Sequence, residues 1–172
     1  MIIRTLQPHD DRTDFSCGDP DYDDFLRRYA GQNQFVHRIS TTIVVVEDER
    51  VIGYATFSVA EVSRDGLPDE RASKLPRYPL PALRLGRLAV DTRFQGIGLG
   101  SRLVGQVLAT ALRLRDELGC AAVLVDALPE RAAFYEELGF ERASSILGKS
   151  RIPGTVLMVL SLADAAAASA KE

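Results

Sequence analysis

The chain has 172 residues, 46% hydrophobic and 26% charged, with a formal net charge of −3; these values suit one soluble domain with its own core and exclude a wholly basic polyanion binder, so charge is read segment by segment. Two cysteines, Cys17 and Cys120, and two histidines lack metal-ligand spacing, which predicts a reduced, cytoplasmic protein with neither a disulfide framework nor a zinc site. Without a cationic leader or a stretch near the roughly 20 apolar residues of a membrane span, neither export nor anchoring is expected.

In chain order, MIIRTL reads as a short opening strand. Asp19 and Pro20 then supply an N-cap and a first helical position, followed at helical spacing by Tyr22, Phe25, Leu26, Tyr29 and Asn33. TTIVVVEDERVIGYATFSV is rich in β-branched residues and broken at EDER, which predicts a hairpin of two buried strands, about Thr41 to Val46 and Val51 to Val59. From Ala60 to Ala82 the chain carries Pro68, Pro76, Pro79 and Pro81 among charges, the mark of a functional or mobile loop. In the next strand, LRLGRLAV, Leu83 and Leu85 share one parity and Leu88 and Val90 the other; a β-bulge near Gly86 and Arg87 would restore a single buried face. Leu99, Leu103, Val107, Ala111, Leu114 and Leu118 recur every three or four residues before Gly119, predicting a helix of about five turns with a left-handed stop. AAVLVDA predicts a buried strand, PERAAFYEEL a helix begun by Pro129 and ended by Gly139, and TVLMVLSL a late strand. The expectation is one domain over residues 1–162, of α+β or mixed α/β class, with an Ala-rich tail over 163–172.

Between the bulged strand and the long helix lies QGIGLG. Glycines here let backbone N–H groups converge at the positive end of a helix dipole, a site for phosphate oxygens; tight strand–helix packing is the competing explanation. A dinucleotide fingerprint would need GxGxxG, but Gly98 and Gly100 are followed by Ser101, Arg102 and Leu103, and no lysine follows Gly100 as a Walker motif requires.

Gln95-x-x-Gly98-x-Gly100 after RLAVD resembles the acetyl-CoA pyrophosphate loop of the GCN5-related N-acetyltransferase (GNAT) superfamily. LVDALPERAAFYEELGF resembles its late motif, a strand and then a helix with an aromatic pair ending in Gly-Phe. The resemblance implies the GNAT fold: a mixed central sheet with a splayed, bulged central strand flanked by helices. It implies acetyl-CoA as cofactor, with the pyrophosphate on the N–H groups of Gln95, Gly96, Ile97, Gly98, Leu99, Gly100 and Ser101. The pantetheine arm would lie along Leu88, Ala89 and Val90, and a backbone N–H near Leu88 would polarise the thioester carbonyl. The amine attacks directly, so Cys17 and Cys120 are expected to be structural. Tyr135 is the expected general acid toward the departing thiolate; the alternative is that it packs, although Phe134 and Leu138 are expected to form the apolar face without it. Asp126, Glu130, Glu136 and Glu137 are candidates for a base, or simply a solvated face. An α-amine, with a reference pKa of about 7.7–8.0, needs a base less than a lysine near 10.4 does.

FSCGDPDYDDFLRRYAGQNQ, LPRYPLPALRLGRLAVDTRFQGIGLG and VLVDALPERAAFYEELGF further resemble one branch, the toxins of bacterial toxin–antitoxin modules that acetylate the α-amino group of aminoacyl-tRNA. Tyr22, where that branch usually has leucine, and the polar segment ERASSILGKSRIPGTV depart from its pattern. From Arg64 to Arg102 there are eight Lys or Arg against four acids, a local +4 that would suit tRNA phosphates, with Arg77 and Arg87 as the preferred contacts. Loop solvation, or service of Arg93 and Arg102 to CoA phosphates, would explain the same charge. The branch implies a ribbon-helix-helix antitoxin partner and a homodimer. A small-molecule amine or protein N-terminus as acceptor, and a catalytically silent CoA-binding module, are the alternatives.

Overall fold

The β-branched run that follows residue 40 pairs as its composition requires. In the computed structural model, which describes residues 1–67, 70–143 and 152–163, strand β1 (Ile2–Thr5) lies antiparallel to β2 (Thr41–Glu47), and β2 to β3 (Arg50–Val62). The two-residue turn between β2 and β3 puts Asp48 and Glu49 at φ 47° and 67°, as a tight hairpin demands. Helix α1 (Pro20–Asp24) lies between β1 and β2 in the chain. Single 3₁₀ turns (Arg64–Gly66, Glu70–Lys74) precede β4 (Leu80–Val90); then come α2 (Leu99–Glu117), β5 (Ala122–Ala127), α3 (Ala132–Glu137), β6 (Glu141–Arg142) and β7 (Val156–Ser161). The strand order is β1-β2-β3-β4-β5-β7-β6. β7 is antiparallel to β5 and β6, and the helical connection from β4 to its neighbour β5 makes the sheet mixed.

The chain divides into two compact units, Met1–Ser58 with Leu85–Val107 and Val59–Arg84 with Leu108–Glu172. In the first, Asp19 is extended and its carboxylate accepts from the Asp21 N–H at 3.0 Å, with Pro20 next, so α1 starts where expected. It continues as two π-helical turns, Phe25–Tyr29 and Gln32–Val36, a widening that apolar spacing does not encode. Phe25, Leu26 and Ala30 join Leu6, Phe15, Val44, Val46, Val51, Tyr54 and Ala89 in one core. Gln34 ties this segment to the sheet, donating to the Leu6 carbonyl at 3.0 Å and accepting from the Thr42 N–H at 2.7 Å. A Cβ on Gly53 would stand 3.4 Å from the Leu103 side chain and 3.5 Å from the Ala89 carbonyl, so glycine there lets the start of α2 lie close on β3.

The second unit has its own core of Val62, Leu67, Leu80, Ala82, Ala122, Leu124 and Val159. Gly119, at φ 95°, ends α2 with its N–H toward the Leu114 and Arg115 carbonyls at 3.0 and 3.2 Å, the expected left-handed stop. Leu118 is 82% exposed; it falls just past the last helical residue and so leaves the apolar stripe. The predicted helix from Pro129 is a 3₁₀ turn (Pro129–Arg131) followed by α3, with Gly139 beyond it at φ 94°. The two-residue β6 is too short to leave a periodic signal. Residues 164–172 of the expected tail lie outside the described residues. Among the described residues no helix is long and apolar enough to cross a membrane.

β4 departs from its sequence reading. It begins at Leu80, and its buried residues are Leu80, Ala82, Leu83, Leu85 and Ala89, whereas Leu88 and Val90 are half-exposed. The buried parity therefore changes at Ala82 and Leu83 and not at Gly86 and Arg87. Leu88 and Val90 read as core because they are apolar, yet the structure leaves that face of the strand partly uncovered.

Candidate functional site

The end of β4 is locked by one carboxylate. Asp91 is fully buried and accepts from the Arg93 N–H at 3.0 Å, from Arg93 Nε and Nη2 at 2.9 and 2.8 Å, and from the Ser16 N–H at 3.2 Å. Hydrogen bonding by the Arg93 side chain, opposed by burial and helped by the two backbone donors, lowers its pKa to about 2. The Thr92 N–H returns a bond to the Ser16 carbonyl at 2.9 Å. The exposed Gln95 side chain folds back along the backbone, Nε2 donating to the Val90 carbonyl at 2.9 Å and to the Cys17 carbonyl at 3.3 Å. Residues 16 and 17 and residues 91–95 are thus laced together, fixing where the glycine loop begins.

Removing the carboxylate in Asp91→Ala strands the Ser16 N–H and unpins Arg93, which is itself half in water. The expected cost is about 2–3 kcal/mol of unfolding free energy, read from urea denaturation; a loss below about 0.5 kcal/mol would refute the locking role. Because the folded-state pKa lies below the ordinary value of 3.8, the stabilisation is complete above that pH and disappears as pH falls through about 2. Denaturation from pH 5 to pH 2 should therefore show wild type converging on the variant by about 1–2 kcal/mol, allowing for water around Arg93.

Beyond Gln95 the backbone opens. Gly96 and Gly98 sit at φ 79° and 83°, with nothing within 4 Å of the position a Cβ would take, so these glycines answer to backbone conformation and not to packing. Strand–helix packing as their reason is excluded at these two positions. The first N–H of α2 with a helical acceptor is that of Arg102, bonded to the Gly98 carbonyl at 3.2 Å; those of Leu99, Gly100 and Ser101 in the first turn have none among the described residues. Ile97 is exposed, whereas the Leu99 side chain is buried, so Leu99 offers only its N–H. The result is a row of backbone donors at the positive end of a 19-residue helix, suited to an anionic oxygen cluster.

Arg87, Leu88, Ala89 and Val90 occupy the last part of β4 in the same unit. The Arg87 guanidinium carbon lies 4.0 Å from the Phe25 ring centroid. Cys17 donates its N–H to Asp23 Oδ1 at 2.8 Å, and burial pushes its thiol pKa up to about 11, leaving it protonated and a poor nucleophile. Burial raises the Cys120 thiol as well. Neither thiol is thus set up as a nucleophile.

The second unit holds the other predicted residues. Tyr135 is buried at 7% exposure, its ring edge-on to Phe134 at 5.0 Å and to Phe140 at 5.6 Å. Phe134 and Leu138 are only half-buried, so the expected apolar face without Tyr135 is not found; the turn at Gly139 folds Phe140 back against the tyrosine ring. Asp126 is engaged by Arg84 in a close, largely buried ion pair, which removes it as an unencumbered base. Glu130, Glu136 and Glu137 are exposed, with Glu136 paired to Arg142 at 3.3 Å, as a solvated face should be. Arg77 is exposed. Asp91, Phe25 and the pairing of Ser16 and Cys17 with the loop escaped the sequence reading. Only Asp91 left a signal, as an N-cap two residues before a cation.

Comparison with known proteins agrees with this geometry. Residues 38–142 match the model of the acetyltransferase (GNAT) domain. A tRNA-acetylating toxin of Mycobacterium tuberculosis is 37% identical over 80% of this chain and 82% of its own. The crystal structure of a tyrosine-to-phenylalanine mutant of KacT superposes with a TM-score of 0.80 at 27% identity, covering 95% of each chain. AtaTR bound with AcCoA superposes with a TM-score of 0.74 at 26% identity, over 95% of this chain and 94% of that one. With a donor row at the start of α2, a half-uncovered β4 and a family match over most of its length, the chain belongs to the GNAT acetyltransferases.

Proposed function

We propose that this chain is an acetyl-CoA-dependent N-acetyltransferase of the toxin branch, modifying the α-amino group of aminoacyl-tRNA and so blocking translation. The observation that carries the donor half is the row of N–H groups from Gly96 to Ser101, with open space at both left-handed glycines. Acetyl-CoA bound there would supply an activated acetyl thioester. The loop N–H groups hold its pyrophosphate, and the exposed edges of Leu88 and Val90 offer apolar surface to the arm, with Ala89 between them. A backbone N–H near Leu88 donates to the carbonyl oxygen as it gains charge. As the amine displaced the thiolate, the Tyr135 hydroxyl would give its proton to the departing sulfur, and the proton lost by the amine nitrogen on becoming an amide would pass through water to restore the phenol.

The acceptor half rests on the 37% identity to a tRNA-acetylating toxin and on two features of the chain. Asp126, one of the four candidate bases, is held by Arg84 in a close ion pair, which favours an amine that is already partly neutral, as an α-amine is near pH 7.7–8.0. Arg77 and Arg87 supply cations for acceptor-end phosphates. The branch resemblance adds a ribbon-helix-helix antitoxin and a homodimer; cysteine usage and composition add a cytoplasmic setting and a single catalytic domain over residues 1–162. Incubation with radiolabelled acetyl-CoA should label charged tRNA and not uncharged tRNA; label transferred only to small amines or peptide N-termini would replace the acceptor and retain the donor.

A further inference from the structure

Three arginines of the basic stretch from Arg64 to Arg102 are already engaged. Arg64 donates to the Ser73 and Leu75 carbonyls, Arg84 to Asp126 and Arg93 to Asp91. Arg87 differs: among the described residues no carboxylate or carbonyl accepts from it, and its guanidinium lies over the Phe25 ring, 4.0 Å from the centroid. Phe25 is itself buried at 5% exposure and stacks on Tyr54, with centroids 6.1 Å apart and planes at 23°. Tyr54 is braced edge-on by Phe15 at 5.6 Å and fixed by its hydroxyl donating to the Tyr22 carbonyl at 2.8 Å. Arg87 thus caps an aromatic stack while its N–H donors lack acceptors among the described residues.

A planar guanidinium held this way loses little rotamer freedom when it meets an anion, which a lysine on a flexible stem would not match. We propose that Phe25 is a positioning residue that holds Arg87 as a preorganised phosphate-recognition group for the RNA acceptor; this rests on the tRNA reading above. RNA and CoA both carry phosphates. Arg87 stands directly before Leu88, and about 10 Å of strand separates it from Val90 at the end that leads to the glycine loop, which favours the acceptor.

The test is a steady-state cycle of Phe25→Leu, Arg87→Ala and the double variant, with Arg87→Lys alongside and thermal melts as a check on folding. Phe25→Leu should raise KM for charged tRNA about three- to tenfold, leaving kcat and KM for acetyl-CoA within about twofold. In the Arg87→Ala background it should add less than about twofold. Arg87→Lys, which keeps charge but not the planar fork, should also raise KM for tRNA, and it serves if Phe25→Leu fails to fold. Additive effects, wild-type behaviour of Arg87→Lys, or a rise confined to KM for acetyl-CoA would each overturn the proposal. Filter binding of tRNA separates the two readings. If wild type binds tRNA without acetylating it, and both variants weaken binding non-additively, the functional reading falls and the phosphate site stands. No tRNA binding by wild type overturns the site.

Discussion

Tyr135→Phe is expected to lower kcat for acetyl transfer by about 10²-fold or more while changing KM for acetyl-CoA by less than about threefold. The substitution removes one oxygen and keeps the ring that packs against Phe134 and Phe140 at 5.0 and 5.6 Å. Its structural cost should stay near 1 kcal/mol, the usual net value of one hydrogen bond. That separation makes the experiment decisive for the residue. Because Tyr135 is buried, a purely structural role is a real competitor, and it predicts the opposite pattern: a lower melting temperature with kcat within about threefold of wild type. Stopped-turnover kinetics with a melt of the same preparation distinguishes the two.

Gly98→Val should be nearly as damaging through a different quantity. A β-branched residue at φ 83° strains the backbone, at a cost of order 1–3 kcal/mol if the loop keeps its shape. Among the described residues nothing beyond its chain neighbours lies within 4 Å of the new Cβ, so stability should fall mainly by that strain. The side chain would enter the space onto which the loop N–H groups open, and KM for acetyl-CoA should rise about 10²-fold with little effect on KM for the acceptor. Gly105, within α2 and also with open space around it, is the control: Gly105→Ala should leave both KM values unchanged and stabilise the helix by about 0.5–1 kcal/mol. Equal kinetic effects at positions 98 and 105 would remove the loop from the cofactor site.

What was legible in the sequence follows from the range of the interactions involved. The cap at Asp19 and Pro20, the hairpin at EDER and the stop at Gly119 are decided within a few residues, and the chain states them directly. Gly96 and Gly98 were legible for the same reason, since only backbone conformation requires them. Contacts between distant segments were not. Asp126 looked like a candidate base because Arg84 is far away in sequence, Phe25 looked like one more apolar helix position because Arg87 arrives from β4, and Asp91 passed unnoticed because its burial depends on Ser16. Periodicity also misled where function leaves a surface open. Leu88 and Val90 alternate like core residues, and hydrophobicity alone does not distinguish a face covered by protein from one available to a ligand. The two π-helical turns after Asp24 share the apolar spacing of an α-helix closely enough to be invisible.

The central claim is that the donor row beside β4 delivers acetyl groups to the α-amine of charged tRNA. The most direct measurement is mass spectrometry of the aminoacyl-adenosine released by nuclease from a full set of charged tRNAs after incubation with the protein and acetyl-CoA. The expected result is a mass increase of one acetyl group on the amino acid of at least one tRNA species, absent with Tyr135→Phe. Unmodified aminoacyl-adenosine across the whole set, with acetyl-CoA still consumed on another amine, would contradict it.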